Sequence, residues 1–130
     1  MVLLKFVLGL GFASLAAAGG FASSCDVDYD EELPNLKATC HSNDPHVRKV
    51  SVLDLNRCYV QKGNTLDGED GENGAGIQTC GVKIKDDDGP VLTGGCLDDD
   101  VKLNDLINNY DGTLNCHEFT GVVHQTLHDN

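Results

Sequence analysis

The chain has no tryptophan, one methionine, four phenylalanines and three tyrosines in 130 residues. So little aromatic area supports only a modest core, and a domain this small then relies on covalent staples. Positive charge is also scarce: nine Lys and Arg stand against 21 Asp and Glu, for a formal net charge of -12. Such a surface repels phosphate backbones and anionic lipid headgroups, so nucleic acid and membrane surfaces are poor partners. Neutral ligands and cationic surfaces remain open. No Cys-x-x-Cys occurs, which removes the support for tetrahedral zinc and for thioredoxin chemistry. No Asn-x-Ser/Thr sequon occurs either, so the chain is expected to carry no N-linked glycan.

What is present begins with a leader. Residues 1–18 hold one positive charge at Lys5, an apolar stretch from Phe6 to Leu15, and then Ala16-Ala17-Ala18. This is the pattern of a secretory signal peptide, with cleavage expected after Ala18 or near Ala22. The apolar run is short for a membrane span, and no second run follows. Six cysteines come after it: Cys25, Cys40, Cys58, Cys80, Cys96 and Cys116. An even count in a small secreted domain argues for three disulfides, although six cysteines allow fifteen pairings. The acidic runs 26–32, 67–72, 86–88 and 98–100 read as solvated turns.

Strand signals dominate. Val47–Val52, "GIQTCGVKIK" (76–85) and "PVLTGGC" (90–96) are short, β-branched and separated by Gly- and Asp-rich turns. "DDDGP" (86–90) predicts a hairpin turn, and "LNDLINN" (103–109) a single helical turn. The chain also nearly repeats itself. "LNRCYVQKGNTL" (55–66) aligns without gaps on "LNDLINNYDGTL" (103–114), with Leu55, Asn56, Thr65 and Leu66 identical to Leu103, Asn104, Thr113 and Leu114. Upstream of each copy lie two cysteines at closely matched spacing, with Leu36 and Leu92 each four positions before the second. The chain is therefore a tandem repeat of about fifty residues per unit. If the units fold alike, each closes its own bridge, Cys25–Cys40 and Cys80–Cys96, which leaves Cys58–Cys116 to join the halves.

Polar turns such as Asn109-Tyr110-Asp111-Gly112 admit several readings. Asn, Asp and Gly suit a type I or I′ turn on local grounds alone. The run "DVDYDEELPNLK" (26–37) alternates Asp like a calcium loop but has Glu31 where that loop needs Gly and Lys37 where it needs Glu. His124 and His128 would share a helix face, yet no third metal ligand is evident, and residues 119–130 read as a frayed or loosely docked tail.

The paired cysteines, followed by "SVLDLNRCYVQKGNTL" and "VKLNDLINNYDGTLNC", resemble the cyanovirin-N homology domain. Each repeat of that family reads aromatic-x-x-x-Cys, x-Leu-x-x-x-Cys, then (I/V)-(D/K/N)-L-(N/D)-x-x-(I/V)-x-N-x-(D/N)-G-x-L. The likeness covers about residues 20–118, within a domain of 19–118 whose repeats divide near residue 72, and the additional cystine suits a secreted fungal-type member. The resemblance implies an all-β, elongated, pseudo-twofold domain whose repeats exchange segments. It also implies a monomeric or domain-swapped lectin for mannose, especially high-mannose glycans, with no metal, cofactor or catalysis. It further implies two sugar sites at opposite ends. The first falls on Gly20, Ser23, Ser24, His41, Asn43, Asn109, Tyr110 and Asp111. There Asp111 would accept from sugar hydroxyls while Asn109 donates. The second falls on Gln61, Gln78, Thr79 and Asp98, and it departs from the family pattern. Gln61-Lys62-Gly63-Asn64 replaces N-x-D-G, and Leu97-Asp98-Asp99 replaces the expected basic and hydroxyl residues. A secreted interaction protein of effector type, on the same scaffold without sugar binding, is the alternative.

Overall fold

Short β-branched segments punctuated by Gly and Asp form hairpins, and this chain folds into a set of small antiparallel sheets. The computed structural model describes residues 19–71 and 76–129; the expected leader, residues 1–18, lies outside them. In the first repeat, β1 (Cys25–Asp28), β2 (Asn35–His41) and β3 (Val47–Asp54) form a meander. A 3-10 turn, Leu55–Arg57, then leads into the hairpin of β4 (Val60–Lys62) and β5 (Thr65–Asp67). The second repeat follows the same plan. A short helix α1 (Ile77–Cys80) precedes β6 (Lys83–Asp86), β7 (Pro90–Thr93) and β8 (Val101–Lys102). A 3-10 turn, Leu103–Asp105, then leads into the hairpin of β9 (Asn108–Tyr110) and β10 (Thr113–Cys116). The stretch 26–37 is thus the first hairpin of β1 and β2, preceded by the 3-10 turn Phe21–Ser23 and followed by β3 rather than flanked by a helix pair. Among the described residues no group of His, Cys, Asp and Glu is arranged to hold a metal ion.

The halves are interlocked rather than stacked. The Asn104 side-chain oxygen accepts the Ala22 N–H at 2.8 Å, and the matching Asn56 side chain accepts the Ile77 N–H at 3.1 Å. Each repeat therefore fixes the lead-in turn of the other. Ser51, fully buried on β3, accepts the Leu114 N–H from β10 at 3.0 Å. The repeat's apolar positions make one shared core: Leu36, Leu53, Leu55, Leu92, Leu103, Ile107 and Leu114 are all within 1 % of complete burial. The cysteines are bonded Cys25–Cys40, Cys80–Cys96 and Cys58–Cys116. The last bond joins the halves and contributes on the order of 4 kcal/mol through loop entropy.

Two expectations need correction. The segment 76–85 is not one strand: Gly76 and Gly81 both have positive φ, which isolates Ile77–Cys80 as a helical turn ahead of β6. Residues 119–129 of the expected tail 119–130 are not loose. β11 (Phe119–Thr120) pairs with β10, and β12 (Val122–His128) pairs with β3 as the fourth strand of the first sheet. The Gly121 N–H donates to the Leu114 carbonyl at 2.8 Å, and Arg48 clamps Asp129 with two hydrogen bonds, so both ends of the strand are held.

Candidate functional site

The β9–β10 hairpin is a two-residue loop. Tyr110 pairs with Thr113, and the loop residues Asp111 and Gly112 have φ of 52° and 89°, the signature of a type I′ turn. Gly112 also leaves room for Lys49, since a Cβ there would lie 2.8 Å from that side chain and oblige it to shift. Strand alternation then sorts the hairpin's side chains. Asn108, Tyr110, Thr113 and Asn115 share one face, while Asn109 and Leu114 lie on the other. Leu114 enters the core, and Asn109 turns toward the lead-in segment of the first repeat.

Asn109 is fully engaged there. Its amide nitrogen donates to Ser24 Oγ at 2.9 Å and to the His41 carbonyl at 2.9 Å, and its Oδ1 accepts the Gly112 N–H at 2.8 Å. Asp111 is similarly committed: Oδ1 accepts the Asn43 N–H at 2.8 Å, and Oδ2 lies 3.9 Å from Lys49 Nζ. The Ser23 hydroxyl donates to the Gly20 carbonyl at 3.0 Å. Ser24, His41, Asn43, Asn109 and Asp111 are therefore brought together, with Ser23 beside them on the lead-in turn. Both amide hydrogens of Asn109 bond within the protein, to Ser24 Oγ and the His41 carbonyl.

The open surface lies over the outward face of the hairpin and extends to Asn109 and Ser24. A pocket of about 340 Å³ is lined by Gly19, Gly20, Ser24, Asn108, Asn109, Tyr110 and Asn115. Asn108 Oδ1 accepts the Gly19 N–H at 2.7 Å, and its amide nitrogen donates to Asn115 Oδ1 at 3.0 Å, so the two carboxamides form a fixed wall. The Asn115 amide nitrogen has no partner among the described residues and is left as a donor. Gly19 can approach this closely because it lacks a side chain: a Cβ there would lie 2.4 Å from the Asn104 carbonyl oxygen. No charged side chain lines the pocket. Sequence reasoning missed Gly19, Asn108 and Asn115; the two asparagines were legible as the outward set of a period-2 hairpin flanking the N-x-D-G turn.

The opposite end is built differently. Gln61 donates to the Gly63 carbonyl at 3.2 Å, Thr79 to the Gly76 carbonyl at 2.8 Å, and the Asp98 N–H to the Asn64 carbonyl at 3.0 Å. Gln78 lies in α1 between Ile77 and Thr79. On the β4–β5 hairpin, the positions matching Asn108, Tyr110, Thr113 and Asn115 are Val60, Lys62, Thr65 and Asp67. Lys62 pairs with Asp67 at 3.7 Å and also with Glu69. This face therefore presents an ion-pair cluster where the first end presents neutral amides. A second depression, about 440 Å³, lies between the β1–β2 loop and β6, and Glu31, Glu32 and Lys83 charge its walls.

A family model described as CVNH domain matches residues 21–115, which takes in both repeats. No curated protein sequence and no solved structure matches the chain.

Proposed function

The chain belongs to the CVNH domain family, a carbohydrate-binding and non-catalytic lectin fold, and from that membership we propose that it is a secreted lectin for mannose-type glycans. The observation that carries the reading is a pocket without charged side chains, walled by Asn108, Asn115 and the Gly19–Gly20 backbone, a wall that cleavage after Ala18 would leave in place with Gly19 as its amino terminus. A carboxamide both donates and accepts, as a sugar hydroxyl does, so neighbouring amides match vicinal hydroxyls without requiring charge on the ligand. A polar wall that a bound ligand shields from water also discriminates against ligands that lack a hydroxyl, because its own groups are then left unpaired. Secretion is supported by the leader pattern of residues 1–18 and by the three disulfides, which suit an oxidising compartment.

One end serves as the sugar site in this reading. Asn109 and Asp111 are scaffold: they lock the turn against Ser24, His41 and Asn43 so that the opposite hairpin face keeps its shape. The charged Lys62–Asp67–Glu69 cluster leaves the second end poorly matched to a neutral polyol. The rival reading, a secreted interaction protein on the same scaffold, draws its support from that second end. A glycan array separates the two. The lectin reading predicts binding to neutral oligomannose glycans and none to sialylated or sulfated ones. Failure to bind any oligomannose overturns it.

A further inference from the structure

Tyr110 occupies the outer corner of the pocket, two residues along the same hairpin face from Asn108 and directly across from Thr113. Its side chain is 73 % exposed, the most exposed large apolar side chain among the described residues. Nothing in the fold calls for an aromatic here. The position faces outward, the hydroxyl bonds to no described residue, and the equivalent residue of the first repeat is Lys62. Single exposed aromatics are ordinary on protein surfaces. This one differs in forming the apolar wall of a pocket whose other walls are amides and bare backbone.

We infer that the Tyr110 ring is a platform for the C–H face of a pyranose, whose hydroxyls meanwhile reach Asn108, Asn115 and the Gly19–Gly20 backbone. The inference rests on the glycan-binding reading and deepens it. An aromatic face carries partial negative charge, and sugar C–H groups, polarised by neighbouring oxygens, present partial positive charge to it. A pyranose is amphipathic in the same sense as the pocket, with polar edges around an apolar face. The combination selects a closed sugar ring over an open-chain polyol with the same hydroxyls, because only the ring offers a flat face. It also assigns the platform to one end of the molecule, since Lys62 is tied up by Asp67 and Glu69 at the other.

The test is calorimetric titration of α1-2-linked mannobiose into the full disulfide-bonded protein and its Tyr110→Phe and Tyr110→Ala variants, with thermal unfolding as the fold control. The ring alone is needed, so Tyr110→Phe is expected within about twofold of wild type, and Tyr110→Ala weaker by about tenfold. Saturation of the aromatic protons should transfer to the sugar ring C–H protons in wild type and Tyr110→Phe. Mannitol should not compete. A Tyr110→Ala variant that binds like wild type overturns the platform and leaves the glycan reading standing. A Tyr110→Phe variant as weak as Tyr110→Ala overturns it in favour of a hydroxyl contact. If wild type binds neither mannobiose nor larger oligomannose, both readings fall.

Discussion

Asn104 holds Ala22 across 82 positions of sequence: its side-chain oxygen accepts the Ala22 N–H at 2.8 Å while its backbone carbonyl accepts the Gly20 N–H at 2.7 Å. One residue of the second repeat thus fixes the 3-10 turn Phe21–Ser23 of the first, and with it the Gly19–Gly20 wall of the pocket. Asn104→Ala removes only the side-chain bond and strands a half-buried N–H. It is expected to lower stability by about 1–2 kcal/mol. A urea midpoint that moves at unchanged m-value reads this loss. Sugar affinity should fall with it, because the wall loosens.

The last strand depends on a carboxylate. Asp129 accepts from Arg48 Nε at 2.8 Å and from Nη2 at 2.9 Å. The Arg48 hydrogen bond holds the Asp129 carboxyl below the ordinary carboxylate value; desolvation opposes this, and the Arg48 charge reinforces it. A depressed folded-state pKa stabilises fully above the unfolded value and is lost as pH falls through the folded one. Hydrogen-exchange protection of Thr126–His128 should therefore drop below the ordinary carboxylate range while β1–β3 stay protected. Arg48→Ala should reproduce that loss at neutral pH. Protection that persists in both cases contradicts the clamp.

Tyr59 carries a cost the second repeat avoids by having Ile107 at the matching position. Tyr59 is 3 % exposed, and its hydroxyl has no hydrogen-bond partner among the described residues. Burial, with a smaller contribution from the Asp105 charge, pushes the phenol well above its ordinary value. The folded state then keeps a proton that the unfolded chain releases, so stability declines as pH rises past the ordinary tyrosine value. Tyr59→Phe should raise stability by about 1 kcal/mol and flatten that alkaline decline. A lower unfolding midpoint for the variant would show that the hydroxyl is satisfied.

The all-β class, the two-unit plan and the apolar positions were legible because strand alternation and the repeat both write themselves into spacing. Leu55 and Leu103, or Leu66 and Leu114, are buried as pairs because one packing solution is used twice. The fate of residues 119–130 was not legible. Val122–His128 alternates weakly and stays largely exposed, and its place is set by β3, more than sixty residues away. The site was half legible. The N-x-D-G turn marked the hairpin, but which of its faces is open depends on the exchange that brings Ser24 and His41 against Asn109. That partner choice belongs to tertiary structure, so the spacing placed Asn108 and Asn115 on one face of the hairpin without showing that Asn109 bonds to Ser24 and His41 across the repeats.

In the glycan-binding reading, sugar enters at the Asn108–Tyr110–Asn115 face and nowhere else. Titrating oligomannose into isotope-labelled protein while following backbone and Asn side-chain amide shifts tests it most directly. Saturable one-to-one binding is expected, with shifts at Gly19, Gly20, Asn108, Tyr110 and Asn115 and none at Gln61–Asn64 or Thr79. Shifts centred on the Gln61–Asn64 turn, or no shifts at all, would contradict it.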